Sequence, residues 1–196
     1  AILGTGAITV PNYTTYTQKD FEFVLNDCQP KGLVVSNSKL HKIIIKAAKK
    51  INFTFEFVIS FEKLDSTVYF QKIRHYNDVL ICDCNRKDPA CIIYTSGTQG
   101  NPKGVILSHG GILSNCEGAV ELLKPLVKKN QTRFLTWLPL SHSYEHTVQF
   151  VQITVSAQIY YAESIDKLIK NMSDCSPEIM TAVPRFYLNL YQKINA

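Results

Sequence analysis

Runs of β-branched and aromatic residues alternate with segments of helical period almost from end to end of this chain, and that alternation restricts the fold more than any other feature. Strand and helix in turn is the pattern of βαβ units, in which each helix crosses over to bring the next strand alongside in parallel. The expected fold is therefore α/β with a largely parallel sheet. "AITVPNY" (7–13) reads as the first strand. Thr17, with Asp20 three residues on, reads as the N-cap of a helix that runs through Cys28 and is closed by Pro30. "GLVVSN" is the next strand, "SKLHKIIIKAAKK" a helix and "FEFVISF" a strand, and the stretch from Glu62 to Pro89 is a long surface excursion. "CIIYTSG" and "GVILSH" are then strands, "GGILSNCEGAVELLKPLV" a helix, "RFLTWLPL" a strand and "YEHTVQFVQITV" a helix. "AQIYYA", "SIDKLIKNMSDC", "EIMTAVP" and "RFYLNLYQKI" close the chain as strand, helix, strand and helix. With no internal repeat and no Pro/Gly/Ser-rich linker, residues 1–196 are expected to form a single domain or part of one.

A hydrophobic fraction of 45% with 19% charged residues supplies a core of ordinary globular size. No apolar run is long enough to cross a bilayer as a helix, and the start, "AILGTGAITVPNY", lacks the basic head and long apolar stretch of a secretory signal. The expectation is a soluble, cytoplasmic protein. Much of the net charge of +5 sits in one segment, where Lys39, Lys42, Lys46, Lys49 and Lys50 recur at helical spacing opposite Leu40, Ile44, Ala47 and Ile51. Such a face either stands in water or approaches an anionic surface, and the solvated face is the simpler account. Six cysteines, at 28, 82, 84, 91, 116 and 175, form no framework of paired spacings. Cys82 and Cys84 with Cys91 and His75 lack the paired C-x-x-C spacing of a zinc site, so free thiols are expected.

The densest concentration of chemistry is "YTSGTQGNPKGV", Tyr94 to Val105. Gly97, Gly100 and Gly104 can take positive φ and let backbone N–H groups face an anion. Thr95, Ser96 and Thr98 add hydroxyls, and Lys103 adds a compact positive charge, so the stretch has what a polyphosphate needs. It is not a Walker loop. Counting on from Gly97, proline stands at the second glycine position, and glycine, not a hydroxyl residue, follows Lys103. The short β-branched "VILSH" then predicts a second strand where a Walker loop opens a helix, so this loop joins two strands and is expected to be mobile until ligand orders it. Ser96 does not stand in a G-x-S-x-G elbow and is not read as a hydrolase nucleophile.

These residues resemble the phosphate-loop signature of the adenylate-forming enzymes, which include acyl-CoA synthetases, luciferases and peptide-synthetase adenylation domains. "LTWLPLSHSYEH" is similar to that family's second signature, and "YYAESIDKLIKNMSDCSPEIMTAVPRFYLNLYQKI" resembles its long-chain fatty acyl-CoA ligase branch. Gln99 departs from the loop pattern, standing where threonine is usual. The resemblance implies the N-terminal AMP-binding domain fold and activation of a carboxylate by ATP to acyl-AMP, followed by transfer to coenzyme A. It assigns Thr95, Ser96, Gly97, Thr98, Gly100, Lys103 and Gly104 to the β- and γ-phosphates, Thr95 also to Mg2+, and Lys103 and His142 to catalysis, His142 beside the reacting acid. Glu145 and His146 are read as a solvated first helical turn, His109 as a turn residue, and Arg185 as either a carboxylate partner or a surface group.

The family's later motifs, for adenine, ribose and the distal catalytic lysine, do not occur in these 196 residues. The chain is accordingly expected to be a fragment of the large N-terminal domain, without the C-terminal domain and inactive alone. The expected partners are fatty acid, ATP and CoA, with no nucleic acid, and peripheral contact with the inner face of a membrane is a further expectation. Two alternatives stay open: a truncated or decayed remnant that binds nucleotide phosphate at most, and an adenylating enzyme for another carboxylic acid.

Overall fold

The computed structural model describes residues 2–73, 81–95, 102–128 and 131–195. They group into two compact units, one of Asn12–Cys82 and one of Ala1–Pro11 with Asp83–Ala196.

In the first unit, α1 (Gln18–Cys28), β1 (Gly32–Val35), α2 (Ser38–Lys50), β2 (Phe57–Ser60), β3 (Val68–Tyr69) and α3 (Phe70–Ile73) follow in order. The strands form a parallel sheet in the order β1-β2-β3. α1 starts where the sequence places it: the Thr17 hydroxyl accepts from the Asp20 N–H, and the Asp20 carboxylate accepts from the Thr17 N–H at 2.7 Å. This reciprocal box satisfies two of the donors that a helix start leaves bare. Phe21 and Leu25 of α1 pack with Val35 of β1 and with Leu40, Ile44, Ala47 and Ala48 of α2. The five lysines of α2 lie on its exposed side, where Lys50 Nζ pairs with Glu22 at 2.8 Å, as expected of a solvated face. Within Glu62–Pro89, read as an excursion, Val68 and Tyr69 instead add a third strand, pairing with Ile59 and Ser60.

In the second unit, β4 (Pro89–Thr95) and β5 (Lys103–Ser108) form an antiparallel hairpin. After it come α4 (His109–Leu123), β6 (Arg133–Thr136), α5 (Ser143–Thr154), β7 (Gln158–Tyr161), α6 (Leu168–Cys175), β8 (Ile179–Met180) and α7 (Pro184–Ile194). β7, β6 and β8 form a parallel sheet with β6 in the centre. Arg133 and Glu178 fasten the edge where β6 and β8 begin: the Arg133 N–H and guanidinium both donate to the Glu178 carboxylate, at 2.6 Å each. That paired guanidinium holds the Glu178 carboxyl down at about 2.

Residues 7–13 do not form the predicted strand. Thr9 alone bridges to Cys91, with its N–H donating to Ala90 O and its carbonyl accepting from Ile92 N. Pro11 has no N–H to continue the ladder, which confines the pairing to this one residue. Cys91 is wholly buried beside Ala90 in the hairpin core, where burial pushes its thiol up, and His75 lies outside the described residues. Among the described residues no group of His, Cys, Asp and Glu side chains is placed to hold a metal, and no helix is long and apolar enough to cross a membrane.

Thr17→Ala removes the side-chain half of the α1 box and is expected to cost about 1 kcal/mol. Hydrogen exchange should show the loss as faster exchange in the first turn of α1, with α5 unaffected.

Candidate functional site

The hairpin is held by apolar contact on its buried side. Ala90, Cys91 and Ile93 of β4 pack with Ile112 and Cys116 of α4 and Val151 of α5. At the open end Thr95 pairs directly with Lys103, and Tyr94 with Gly104. Residues opposite one another in an antiparallel pair carry their side chains on the same face. The side chains of Thr95 and Lys103 therefore leave the same face of the hairpin at its open end, and both residues are exposed. Ser96, Gly97, Thr98, Gln99 and Gly100 lie outside the described residues. α4 begins at His109, beyond β5, so no helix N-terminus follows the loop directly, which agrees with the exclusion of a Walker loop.

Gly104 does not adopt positive φ, contrary to the use expected of it. Its lack of a side chain serves packing: a Cβ there would lie 3.0 Å from Ile92 Cγ2 and 3.3 Å from Cε1 and Cζ of the buried Tyr94 ring.

The second candidate group lies in the turn between β6 and α5. His142 is the N-cap of α5, and its Nδ1 accepts from the Tyr144 N–H at 3.2 Å. A ring nitrogen that accepts is bare, so in the neutral ring the proton sits on Nε2. Exposed His142 therefore presents an N–H donor, a polarity that suits an anion. The turn itself is pinned by the His142 N–H on Pro139 O at 3.0 Å and by His146 Nδ1 on Leu140 O at 3.1 Å. α5 also carries Val151 into the hairpin cluster, so the helix that His142 caps packs against β4.

Glu145 overturns its reading as a solvated residue. Its side chain is 0% exposed and turns inward, where the Thr181 hydroxyl donates to Oε2 at 2.7 Å. Glutamate three residues past an N-cap usually folds back onto the cap N–H, but here that N–H is taken by Pro139. Burial pushes the Glu145 carboxyl up, and the hydroxyls of Thr181 and Thr136 pull against that rise. Oε1 is buried without a protein partner, and so is Nε2 of His146. Glu145 continues into a buried polar pair, Gln152 Nε2 donating to Thr136 Oγ1 at 2.9 Å. A signal existed in the sequence: Glu145 and Gln152 stand seven apart, on the stripe that carries Val148 and Val151. Of the remaining candidates, His109 opens α4, with its N–H on Asp88 O at 3.0 Å, and Arg185 is exposed in the first turn of α7.

Residues 1–195 match the family model described as AMP-binding enzyme. The chain belongs to the AMP-binding enzyme family. It is similar to "Long chain acyl-CoA synthetase 3" of Arabidopsis thaliana, with 26% identity over 97% of this chain and 32% of that protein. It is also similar to "Long-chain-fatty-acid--CoA ligase 1" of Cavia porcellus, with 24% identity over 96% of this chain and 30% of that protein. The chain thus spans about a third of the length of the curated relatives it matches. Among solved structures, ATP-bound MatB from Rhodopseudomonas palustris superposes with a TM-score of 0.79 at 24% identity, over 98% of this chain and 37% of that one. A luciferase-like enzyme from the mealworm Zophobas morio gives 0.79 at 17%, over 92% and 42%. The mixed α/β fold with parallel sheets is thus the N-terminal fold of the adenylate-forming enzymes.

For this AMP-binding chain, adding a methyl at Gly104 sets two effects against each other. Ala gains roughly 0.5–1 kcal/mol over Gly in chain entropy, whereas pressing a methyl against Ile92 Cγ2 and the Tyr94 ring, which must both give way, costs roughly 1–3 kcal/mol. With the Tyr94 ring buried, crowding wins: Gly104→Ala should lower thermal stability by about 1 kcal/mol. Glu145→Gln is expected to act with the opposite sign. The folded-state carboxyl is raised, so the stability its protonated form contributes is complete below the ordinary carboxylate range and is lost as pH rises through the folded value. Urea unfolding of both forms should show the Glu145→Gln variant gaining on the parent as pH rises from acid to neutral.

Proposed function

We propose that the protein to which this chain belongs is an ATP-dependent long-chain fatty acid–CoA ligase, in which both units form part of one N-terminal AMP-binding domain. The observation that carries the reading is the Thr95–Lys103 pair at the mouth of a glycine-rich hairpin, in a family member whose similar proteins are named long-chain acyl-CoA synthetases and ligases. In the first step a fatty acid carboxylate oxygen attacks the α-phosphorus of ATP, the bond to the β-phosphate oxygen breaks and pyrophosphate leaves. In the second the CoA thiol attacks the acyl carbon and AMP leaves with the bonding pair.

A weak nucleophile must approach a highly charged electrophile, so placement and charge neutralisation are the main demands. Lys103 and the hydroxyls of Thr95, Ser96 and Thr98, with backbone donors at Gly97, Gly100 and Gly104, take the β- and γ-phosphates. The Nε2 proton of His142 orients the acid. Thr95 offers one neutral oxygen, which suits a magnesium ion held chiefly by phosphate oxygens and water. That ion supplies further neutralisation of the phosphates. The protein is expected to act in the cytoplasm, and the chain of 196 residues alone to have no ligase turnover.

The test is ATP–pyrophosphate exchange by the full-length protein, offered long-chain, short-chain, aryl and amino acids. Exchange that depends on the long-chain acids is expected; exchange with none of them would refute the substrate class. Lys103→Ala should lower kcat/KM about 10²–10³-fold with little change in thermal stability, because an exposed lysine is lost from phosphate stabilisation and not from packing.

A further inference from the structure

Thr181 stands between β8 and α7 and is held at its carbonyl and at its hydroxyl. The Trp137 indole N–H donates to its carbonyl at 2.7 Å, and its hydroxyl donates to Glu145 Oε2 at 2.7 Å. Trp137 directly follows β6, and Glu145 lies three residues beyond His142. The connection from β8 to α7 is therefore tied to both ends of the connection from β6 to α5, the one that carries His142. Trp137 is steadied in turn by the Phe186 ring of α7, with centroids 5.2 Å apart. Both connections leave the C-terminal ends of parallel strands, the edge at which open α/β sheets bind their ligands.

The chemistry at this tie is more than packing requires. A carboxyl wholly out of water is costly, and an apolar side chain would fill the same space without an unpartnered Oε1. What the carboxyl adds is direction: the Thr181 hydroxyl donates to Oε2 at 2.7 Å, a directed bond that favours one register of the two connections. From this geometry we propose that Thr181, through Glu145 and Trp137, is a positioning residue that sets the place of His142 and so governs how tightly the carboxylic acid substrate is held. The inference rests on the ligase reading given above. It assigns no substrate contact to Thr181 itself; the effect passes through the turn 137–142.

The consequence is a division of kinetic constants. ATP is held by the hairpin, whereas the acid depends on the His142 turn, so loosening the tie changes one constant and spares the other. In the full-length protein, Thr181→Val keeps the shape and removes the hydroxyl. It is expected to raise KM for the acid about 10-fold while KM for ATP stays within about 2-fold, and Thr181→Ser is expected to restore the acid constant. Trp137→Phe, which keeps a ring against Phe186 and removes the N–H, should raise KM for the acid about 3-fold. A purely structural tie would lower the melting temperature of these variants and leave both KM values alone, and that result overturns the proposal. If the valine variant does not fold, the serine and phenylalanine variants decide: an unchanged acid constant in Trp137→Phe is a refutation. A parent protein that exchanges pyrophosphate with no carboxylic acid defeats the ligase reading and this inference together, whereas an active parent with unaffected variants defeats the inference alone.

Discussion

Antiparallel pairing of β4 with β5 is the constraint from which the candidate site follows. Among the described strand pairs the others are parallel, and this reversal brings the end of β4 and the start of β5 side by side with no crossover helix between them. The register does the rest, setting Thr95 against Lys103 at the open end. The same strand, β4, is the floor on which α4 and α5 pack, so the hairpin and the helix capped by His142 share one apolar cluster.

Burial and polarity divide along the structure in a way that separates anchoring from chemistry. Cys91 and Ile93 are buried in β4, and Thr95, two residues beyond Ile93 on the same strand, is exposed. In α5 the order is reversed: exposed His142 precedes buried Glu145. Thr95 and His142 thus each stand next to residues fixed in the core, Tyr94 and Ser141. Rigid support of this kind is what positions a catalytic or binding group closely enough to matter.

Periodicity makes most of the elements legible, because a strand or helix with one wet face must alternate in a recognisable way. The capping box at Thr17, the lysine face of α2 and the hairpin ends near Thr95 and Lys103 all follow from such local rules. What stays hidden depends on partners distant in sequence. Thr9 finds only Cys91 because Pro11 ends the ladder, and Val68 and Tyr69 become a strand only because β2 offers them an edge. Gly104 reads as a flexible loop residue and is instead a space left for the Tyr94 ring. Glu145 reads as solvated because a carboxylate beside a helix start is normally wet, and Thr181, its partner, is 36 residues away.

A buried carboxyl at the start of α5 also explains why this turn departs from the usual capping arrangement. Had Glu145 folded back onto the His142 N–H, α5 would have been capped locally and its own bond to Thr181 would not exist. With the His142 N–H taken by Pro139 O, the Glu145 carboxyl is left for Thr181, and the imidazole, which caps α5 through Nδ1, is in the tautomer that presents Nε2–H. The start of α5 thus carries two separate groups, the His142 cap that leaves Nε2–H free as a donor and the Glu145 carboxyl that binds Thr181. Replacing His142 by aspartate, a strong cap that has no side-chain N–H, would keep the helix and lose the donor, which separates the two duties that the histidine combines.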